Sequence, residues 1–251
     1  MRLKARHLAG MALLLALGSG LALGAALAAD ASLQAQPKLA KDFEAFPRVS
    51  GGVAPEVAKR INDGLARADA KGRKAIADCR KQDARHGYWE RSVEATMVGP
   101  RYLSLVSRDN AMCGWAHPNT SSMALVYDLA DGKLVDLAKL LPGLVTKTAL
   151  DETMDGSKIG TIGSPRLMAI FRDEAKKNPG LDPECKQVIA DREELAFIAY
   201  PDAKTHGLVL EPVGVEHVVQ ACFDAMILTG AVLATQGTSA DFLEALGTAR
   251  K

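Results

Sequence analysis

The clearest pattern of hydrophobic positions lies between Pro55 and about Gln82. Apolar residues recur there at every third or fourth position, as they do along one face of an α-helix. The residues on this face are Val57, Ile61, Leu65, Ala68, Ala75, Ile76 and Cys79. Pro55 suits the first turn of a helix, whereas Gly64 and Gly72 would each weaken it by about 1 kcal/mol. We therefore expect a long amphipathic helix that depends on a partner surface.

After this helix the pattern changes to alternation of apolar and polar residues, which is typical of strands. Strands are predicted at 89–97, 102–106 and 123–129, with a turn at Gly99-Pro100. Asp131-Gly132 between two apolar runs is a strong hairpin signal. A short helix over 137–141 should follow, capped by Asp136.

The second half of the chain begins with a weakly patterned stretch at 144–164. Helices are predicted at 165–178, 183–189, 215–222 and 242–246, and strands at 195–200, 207–211 and 224–229. Hairpins that alternate with occasional helices predict an α+β fold. We expect antiparallel sheets with helices packed on one face.

The first 28 residues have the three parts of a secretory signal peptide. Basic residues come first, and an apolar stretch follows over 8–23. Ala26-Leu27-Ala28 fits a small-x-small cleavage pattern, which would make Ala29 the first mature residue. The alternative is a membrane anchor that is retained, but the break at 18–20 favours cleavage. We therefore expect a periplasmic or secreted protein without a later membrane span.

The charge balance argues against two classes of partner. The whole chain has a formal net charge of +1, and loss of Arg2, Lys4 and Arg6 with the signal would leave −2. Nucleic-acid binding usually demands a concentrated basic face, so no nucleic acid is expected. An anionic membrane surface is not favoured either. The sequence does not indicate an oligomeric state.

Four cysteines lie outside the signal, at positions 79, 113, 185 and 222. An even number in an exported chain predicts two disulfides. Of the three possible pairings we favour Cys79–Cys113 with Cys185–Cys222, because each pair then falls within one half of the chain. The alternative is a metal site, but no CxxC or His-x-Cys spacing supports it. No metal is therefore predicted.

The same division suggests the organisation of the chain. Residues 29–45 are polar and alanine-rich, and we expect a flexible leader there. An N-terminal α+β subdomain is predicted over 46–142 and a C-terminal one over 143–251. The fold would thus consist of two halves, each stapled by one disulfide.

The most unusual local feature is the segment Cys113 to Thr120, CGWAHPNT. We take Trp115, His117 and Asn119 as candidate binding residues, on the hypothesis that this is a surface recognition loop. The structural alternative is a disulfide-pinned turn in which Trp115 covers the core and His117 bonds to the backbone. No nucleophile elbow, phosphate loop, HExxH or dinucleotide motif is found, so no catalytic residue and no cofactor is predicted.

Several short segments occur together in an order typical of one family. They are Phe46-Pro47-Arg48-Val49-Ser50-Gly51, Ile61-Asn62, Tyr102-Leu103-Ser104-Leu105, Ala116-His117-Pro118-Asn119, and Tyr127-Asp128-Leu129 with Gly132-Lys133 and Asp136-Leu137. Together they resemble the extracytoplasmic domain family that occurs in lysozyme-sensing anti-sigma factors and at the N-terminus of some peptidoglycan deacetylases. The resemblance is best over 46–142 and weaker over 165–235.

This resemblance implies helices packed on antiparallel sheet and a role at or near the cell wall. In one branch of the family it implies binding of lysozyme. We expect neither a transmembrane anchor with a sigma-binding segment nor a deacetylase domain, and no catalytic residues carry over. The resulting hypothesis is an envelope binding protein whose partner is a lysozyme-type muramidase or peptidoglycan.

The rival hypothesis is a cell-wall hydrolase that uses His117 or His206 with a nearby carboxylate. It is motivated by four histidines outside the signal, the others being His86 and His217. It requires two of them to converge with an Asp or Glu in one cleft. A structural or assembly factor of the envelope is a third alternative, which the sequence does not separate from the first.

Overall fold

The computed structural model describes residues 31–114 and 116–247. Within these ranges the strands form a two-stranded, a three-stranded and a five-stranded sheet, each antiparallel. No helix in the described part of the chain is long and apolar enough to cross a membrane. The predicted signal peptide and Trp115 lie outside the described residues.

Helices packed on antiparallel sheets confirm the predicted α+β class. The helices are α1 (Pro55–Gln82), α2 (Leu137–Leu140), α3 (Pro165–Lys177), α4 (Pro183–Asp191), α5 (Gly230–Thr235) and α6 (Ala240–Ala245), with a 3₁₀ helix at His217–Cys222. The strands are β1 (Ser32–Gln34), β2 (Arg48–Gly51), β3 (Tyr88–Val98), β4 (Tyr102–Met112), β5 (Asn119–Asp128), β6 (Lys147–Glu152), β7 (Lys158–Gly163), β8 (Ala196–Asp202), β9 (Gly207–Val213) and β10 (Met226–Thr229).

The three-stranded sheet has the order β3-β4-β5, and α1 packs against one of its faces. Leu103 and Tyr127 are directly paired across β4 and β5, so their side chains share a face. Both belong to one buried cluster with Ile61 and Leu65 of α1. The predicted amphipathic helix therefore buries its apolar face against this sheet.

The opposite face of the three-stranded sheet packs on the five-stranded sheet, whose order is β10-β9-β8-β7-β6. Val106 and Val126 share a cluster with Ile198 and Val209 of that sheet. Hydrogen bonds also join the sheets, because the Thr96 hydroxyl donates to the carbonyl of Pro201 at 2.9 Å. The outer face of the five-stranded sheet is covered by helices α3 to α6.

Both predicted disulfides are confirmed. Cys79 near the end of α1 is bonded to Cys113 just after β4, with an S–S distance of 2.01 Å. Cys185 on α4 is bonded to Cys222 at the end of the 3₁₀ helix, at 2.02 Å. Each bridge stays within one half of the chain.

The hydrophobic cores do not follow that division into halves. Met97 and Tyr102 belong to the core around helices α3 to α6. In turn, Ile159 and Ile198 belong to the core beneath α1. Division near residue 142 separates the disulfides but leaves each core shared between both halves.

Part of the predicted flexible leader is built into the fold. Ser32–Gln34 forms β1, which pairs antiparallel with β2. Phe43 is fully buried and meets Trp89 edge-on, with ring centroids 6.4 Å apart. An isolated aromatic residue leaves no periodic pattern, so the sequence prediction missed its burial.

The weakly patterned stretch 144–164 contains the β6–β7 hairpin. Every residue of β6 is exposed, so this strand lacks the apolar alternation on which the prediction depended. The turn of this hairpin reaches α1, where Lys71 Nζ donates to the carbonyl of Gly156 at 2.7 Å.

Candidate functional site

A polar groove lies where one face of the three-stranded sheet changes from apolar to polar side chains. Val106 on this face is buried against the five-stranded sheet. Two positions further along β4, Arg108 takes its place, flanked across the strands by Ser92 and Ser122. Glu90, Asn110 and Thr120 form the next row in register. Beyond the apolar contact between the sheets, this face therefore carries two rows of polar side chains.

We call this cavity the Arg108 groove. It has a volume of about 630 Å³, and its lining residues are all polar or charged. Glu211 from β9 closes it on the side of the five-stranded sheet, and Lys38 and Asp42 reach it from the N-terminal segment. Both sheets and the N-terminal segment therefore contribute donors and acceptors to one cavity.

Arg108 is held at the centre of the groove by partners from both sheets. Its Nη2 donates to the hydroxyl of Tyr200 at 2.8 Å and lies 3.6 Å from Glu211 Oε2. Its Nη1 lies 4.0 Å from Glu94 Oε2. The Arg108 side chain remains 45% exposed. Because these ion pairs are long, the guanidinium keeps donors free for a ligand.

The groups around Arg108 hold definite protonation states. Lys204 donates to Glu94 at 2.7 Å, and this hydrogen bond is the main reason that the pKa of Glu94 is lowered. Burial raises the pKa of Tyr200, although Arg108 acts against this shift. Near neutral pH the site therefore presents a carboxylate, a guanidinium and a protonated phenol.

Two histidines meet beside the groove. The rings of His117 and His217 are 5.7 Å apart between centroids, with an interplanar angle of 19°. Next to them, Gln220 Nε2 donates to the hydroxyl of Thr120, which lines the groove, at 3.2 Å. The CGWAHPNT loop and the 3₁₀ helix, from distant parts of the chain, are thus joined at one end of the groove.

The structure places the sequence-predicted site residues as follows. His117 and Asn119 are exposed, as a recognition loop requires, and Trp115 lies outside the described residues. His206 lies instead at the β8–β9 turn, with its Nδ1 3.2 Å from the carbonyl oxygen of Leu246. His86 lies near Asp83 beyond α1.

This arrangement meets only part of the requirement of the hydrolase hypothesis. His117 and His217 converge, but within residues 31–114 and 116–247 neither ring has a hydrogen bond or ion pair to a carboxylate. In the same residues, no group of three or more His, Cys, Asp or Glu is arranged to hold a metal ion.

Sequence reasoning missed the centre of the groove. Arg108 directly follows a run that is buried on both faces of β4, from Tyr102 to Ser107. A charged residue at that point in a strand is a detectable signal. The contributions of Glu211 and Tyr200 leave no such signal, because they come from the other sheet.

A second arginine in the same sheet, Arg91, is buried on the opposite face, although it and Asp109 also border the groove. Arg91 Nε and Nη2 donate to Asp109 at 2.6 Å each, and Nη2 also donates to Asp155 at 2.9 Å. Trp89 Nε1 donates to Asp109 at 3.1 Å, and the guanidinium lies 4.3 Å from the Phe43 ring centroid. This cluster, which we call the Arg91 network, joins β3, β4 and the β6–β7 turn beneath α1.

A further cleft of about 540 Å³ lies where β7 and β8 diverge. These strands are in register only at Ile162 and Phe197. Its lining mixes apolar residues such as Ile162 and Leu195 with charged ones such as Lys147 and Glu194. Lys147 and Glu194 already pair with each other at 3.0 Å.

Comparison with known proteins gives little further information. No family model matches the sequence, and no curated protein matches it. Among solved structures, this chain is similar to a DUF3298 family member from Bacteroides fragilis, with 13% identity and a TM-score of 0.41. The match covers 78% of this chain and 74% of that one. A score this low supports no argument about function, so the resemblance to lysozyme-sensing domains stays a hypothesis.

Proposed function

We propose that this protein is a secreted or periplasmic binding protein of the cell envelope that holds a peptidoglycan fragment in the Arg108 groove. The observation that carries the proposal is an open cavity of about 630 Å³, lined by polar and charged residues, around a half-exposed arginine. Ligand sites of this size are common, but most are lined by apolar side chains. A polar lining selects a ligand that is itself rich in hydroxyl, amide and charged groups.

A muropeptide has this chemistry. Its sugars supply hydroxyl and N-acetyl groups, and its peptide stem supplies amides, carboxylates and an amine. Arg108 suits a stem carboxylate, because a guanidinium can bind both carboxylate oxygens at once. Glu90 and Glu211 can accept hydrogen bonds from hydroxyl, amide or ammonium groups. The serines and Thr120 on the sheet can bond to the sugar edge.

The two disulfides are consistent with the proposed location, since such bonds persist in oxidising compartments. The groove is built on strands, and Thr120 at its edge is tied to the 3₁₀ helix that ends at Cys222. Sites on rigid elements lose less freedom on binding than sites on mobile loops. The proposal therefore includes a groove that is largely formed before the ligand arrives.

The test is calorimetric titration of the exported chain with a purified disaccharide tetrapeptide. We expect saturable binding to the wild type and at least a tenfold loss in Arg108→Met. The matched control is Arg101→Met, because Arg101 is 46% exposed and also pairs with a carboxylate, Asp128, but lies outside the groove. This control should bind like the wild type.

No binding to the wild type, or equal loss in both variants, would contradict the proposal. The same samples also test the hydrolase hypothesis, because chromatography after titration reports any cleavage of the muropeptide. Cleavage that is lost in His117→Gln would replace the binding proposal with an enzymatic one.

A lysozyme-type muramidase is the second candidate partner. One observation favours a protein at the end of the groove: Val218, beside the paired histidines, is 90% exposed. His117 and Asn119 are exposed next to it. A single exposed apolar side chain is common on protein surfaces, so this candidate rests chiefly on the resemblance to lysozyme-sensing domains.

Titration against a c-type lysozyme, with lytic activity followed in parallel, tests this second candidate. We expect Val218→Ser and Asn119→Ala to weaken lysozyme binding while muropeptide binding is retained. Val232→Ser is a matched control, because Val232 is also exposed but lies on α5. Absence of lysozyme binding would rule out this candidate. The muropeptide proposal would not be affected, because a separate titration tests it.

A further inference from the structure

The paired histidines have a geometry that the groove does not explain. His117 belongs to the loop after β4, and His217 opens the 3₁₀ helix. Both rings are exposed, and in the described residues neither makes a hydrogen bond or ion pair. Two stacked imidazoles without a carboxylate or backbone partner in the described residues leave their ring nitrogens available to a ligand.

The spacing of the rings fits a shared metal ion. Metal–nitrogen bonds of about 2.0–2.1 Å place each ring centroid roughly 3.2 Å from the ion, so a tetrahedral angle would separate the centroids by roughly 5.2 Å. The observed separation is 5.7 Å. The rings are stacked at an interplanar angle of 19°, so their side chains must also rotate to place one ion in the plane of both rings, and their exposure permits this.

The two segments that carry the rings are each tethered by a disulfide. Cys113, four residues before His117, is bonded to Cys79 of α1. Cys222, which ends the 3₁₀ helix, is bonded to Cys185 of α4. The hydrogen bond from Gln220 to Thr120 joins the two segments directly. Because the segments are tethered, binding of an ion would mainly restrict the two side chains.

We propose that His117 and His217 form a surface site for a divalent transition-metal ion of the kind that imidazole prefers, Zn²⁺ or Cu²⁺. Imidazole nitrogen is a good ligand for both ions. Two protein ligands leave the remaining coordination positions to water or to a partner's side chain. The site bridges the two disulfide-stapled halves of the chain. It does not depend on the proposed ligand of the Arg108 groove.

The experiment uses the exported chain, purified without a polyhistidine tag and with both disulfides intact. Zn²⁺ alone is titrated by calorimetry, and Cu²⁺ alone is followed by electron paramagnetic resonance. We expect one ion per chain and nitrogen hyperfine splitting in the copper spectrum. His117→Gln and His217→Gln should each lose at least tenfold in affinity, because even the loss of groups that only support a ligand costs 10–100-fold.

His86→Gln is the matched control, because His86 is also exposed but has no second histidine beside it. It should bind both ions like the wild type. The proposal is overturned if neither ion binds, or if both His117 and His217 variants retain full affinity. It is also overturned if the control loses as much affinity, since binding is then adventitious. Far-UV circular dichroism of each variant shows whether a loss reflects unfolding.

Discussion

Arg91 and Arg108 lie in neighbouring strands of one sheet, each among carboxylates, yet their surroundings differ completely. Arg91 faces α1 and has a side chain only 1% exposed. Arg108 faces the groove and is 45% exposed. Asp109, the main partner of Arg91, directly follows Arg108 in β4. The alternation of side chains along a strand sends these two adjacent residues to opposite faces.

The comparison teaches how burial decides the role of a charged group. Burial alone would lower the pKa of Arg91, but hydrogen bonds and charges from Asp109 and Asp155 outweigh it and raise that pKa. A charge taken out of water requires such close partners. Arg108 is partly hydrated, so its longer pairs with Glu94 and Glu211 cost little and leave it free to bind. We therefore assign stability to the first cluster and binding to the second.

The sharpest test of this comparison is Arg91→Met. Removal of the guanidinium leaves two carboxylates, Asp109 and Asp155, buried without their main partner. Breaking a buried ion pair in this way typically costs about 3–5 kcal/mol. We expect the free energy of unfolding, measured in urea with disulfides intact, to fall by that amount. A loss below about 1 kcal/mol would contradict the structural role.

The packing around the Arg91 network gives the next prediction. A methyl group on Gly72 of α1 would lie 2.9 Å from Arg91 Nη1 and from two ring carbons of Phe43. Gly72→Ala should therefore destabilise the protein, because overpacking costs about 1–3 kcal/mol and exceeds the gain of up to about 1 kcal/mol in helix propensity. Urea unfolding measures the change. The control Arg73→Ala, at the exposed neighbouring position, should change stability by less than about 0.5 kcal/mol.

Acid should weaken the Arg91 network once its carboxylates become protonated. Burial would raise the pKa of Asp155, but hydrogen bonds from Arg91, Thr153 and Ser157 outweigh it and lower that pKa. The ionised carboxylate of Asp155 therefore stabilises the fold fully when the pH is above its pKa in the unfolded chain, about 3.9. This contribution is lost as the pH falls through its lower pKa in the folded protein.

We expect the free energy of unfolding of the wild type to decrease as the pH is lowered below about 4. In Asp155→Asn this free energy should depend less steeply on pH. Urea titrations between neutral and acid pH measure both slopes. Asp63→Asn serves as control, since Asp63 is exposed and pairs only with neighbouring side chains of α1. Equal slopes in Asp155→Asn and the wild type would refute this assignment.

The smallest effect on stability is expected for Arg108→Met. Pairs between exposed side chains contribute about 0–1 kcal/mol, so the free energy of unfolding should change by no more than that. The same variant should lose muropeptide binding, as proposed above. A loss of stability close to that of Arg91→Met would mean that Arg108 is also structural, and the contrast between the two arginines would fail.

Local patterns predicted much of the fold because they encode which side of an element is buried. The spacing of Val57, Ile61 and Leu65 predicted α1, and the Asp136 carboxylate does accept from Ala138 N–H as a helix cap. Alternation predicted β3 and β5. It failed for β6, where every residue is exposed, and for Phe43, whose burial depends on Trp89 and Arg91.

The candidate site was predicted only in part. The CGWAHPNT loop was singled out, and His117 and Asn119 do lie at the surface beside a cavity. The partner His217 was noted only as one of several scattered histidines. Arg108, Tyr200 and Glu211 were missed, because no local pattern links residues on two different sheets.

The sequence by itself predicted most of the helices and strands and the α+β class, because hydrophobic periodicity is a property of neighbouring residues. It favoured the disulfide pairing that forms, but it left two other pairings possible. Only the tertiary structure decided where the two sheets part after Val106 and which histidines meet. Those outcomes depend on how faces from distant elements pack against each other. Packing involves the whole core, so it cannot be predicted from any short segment of the chain.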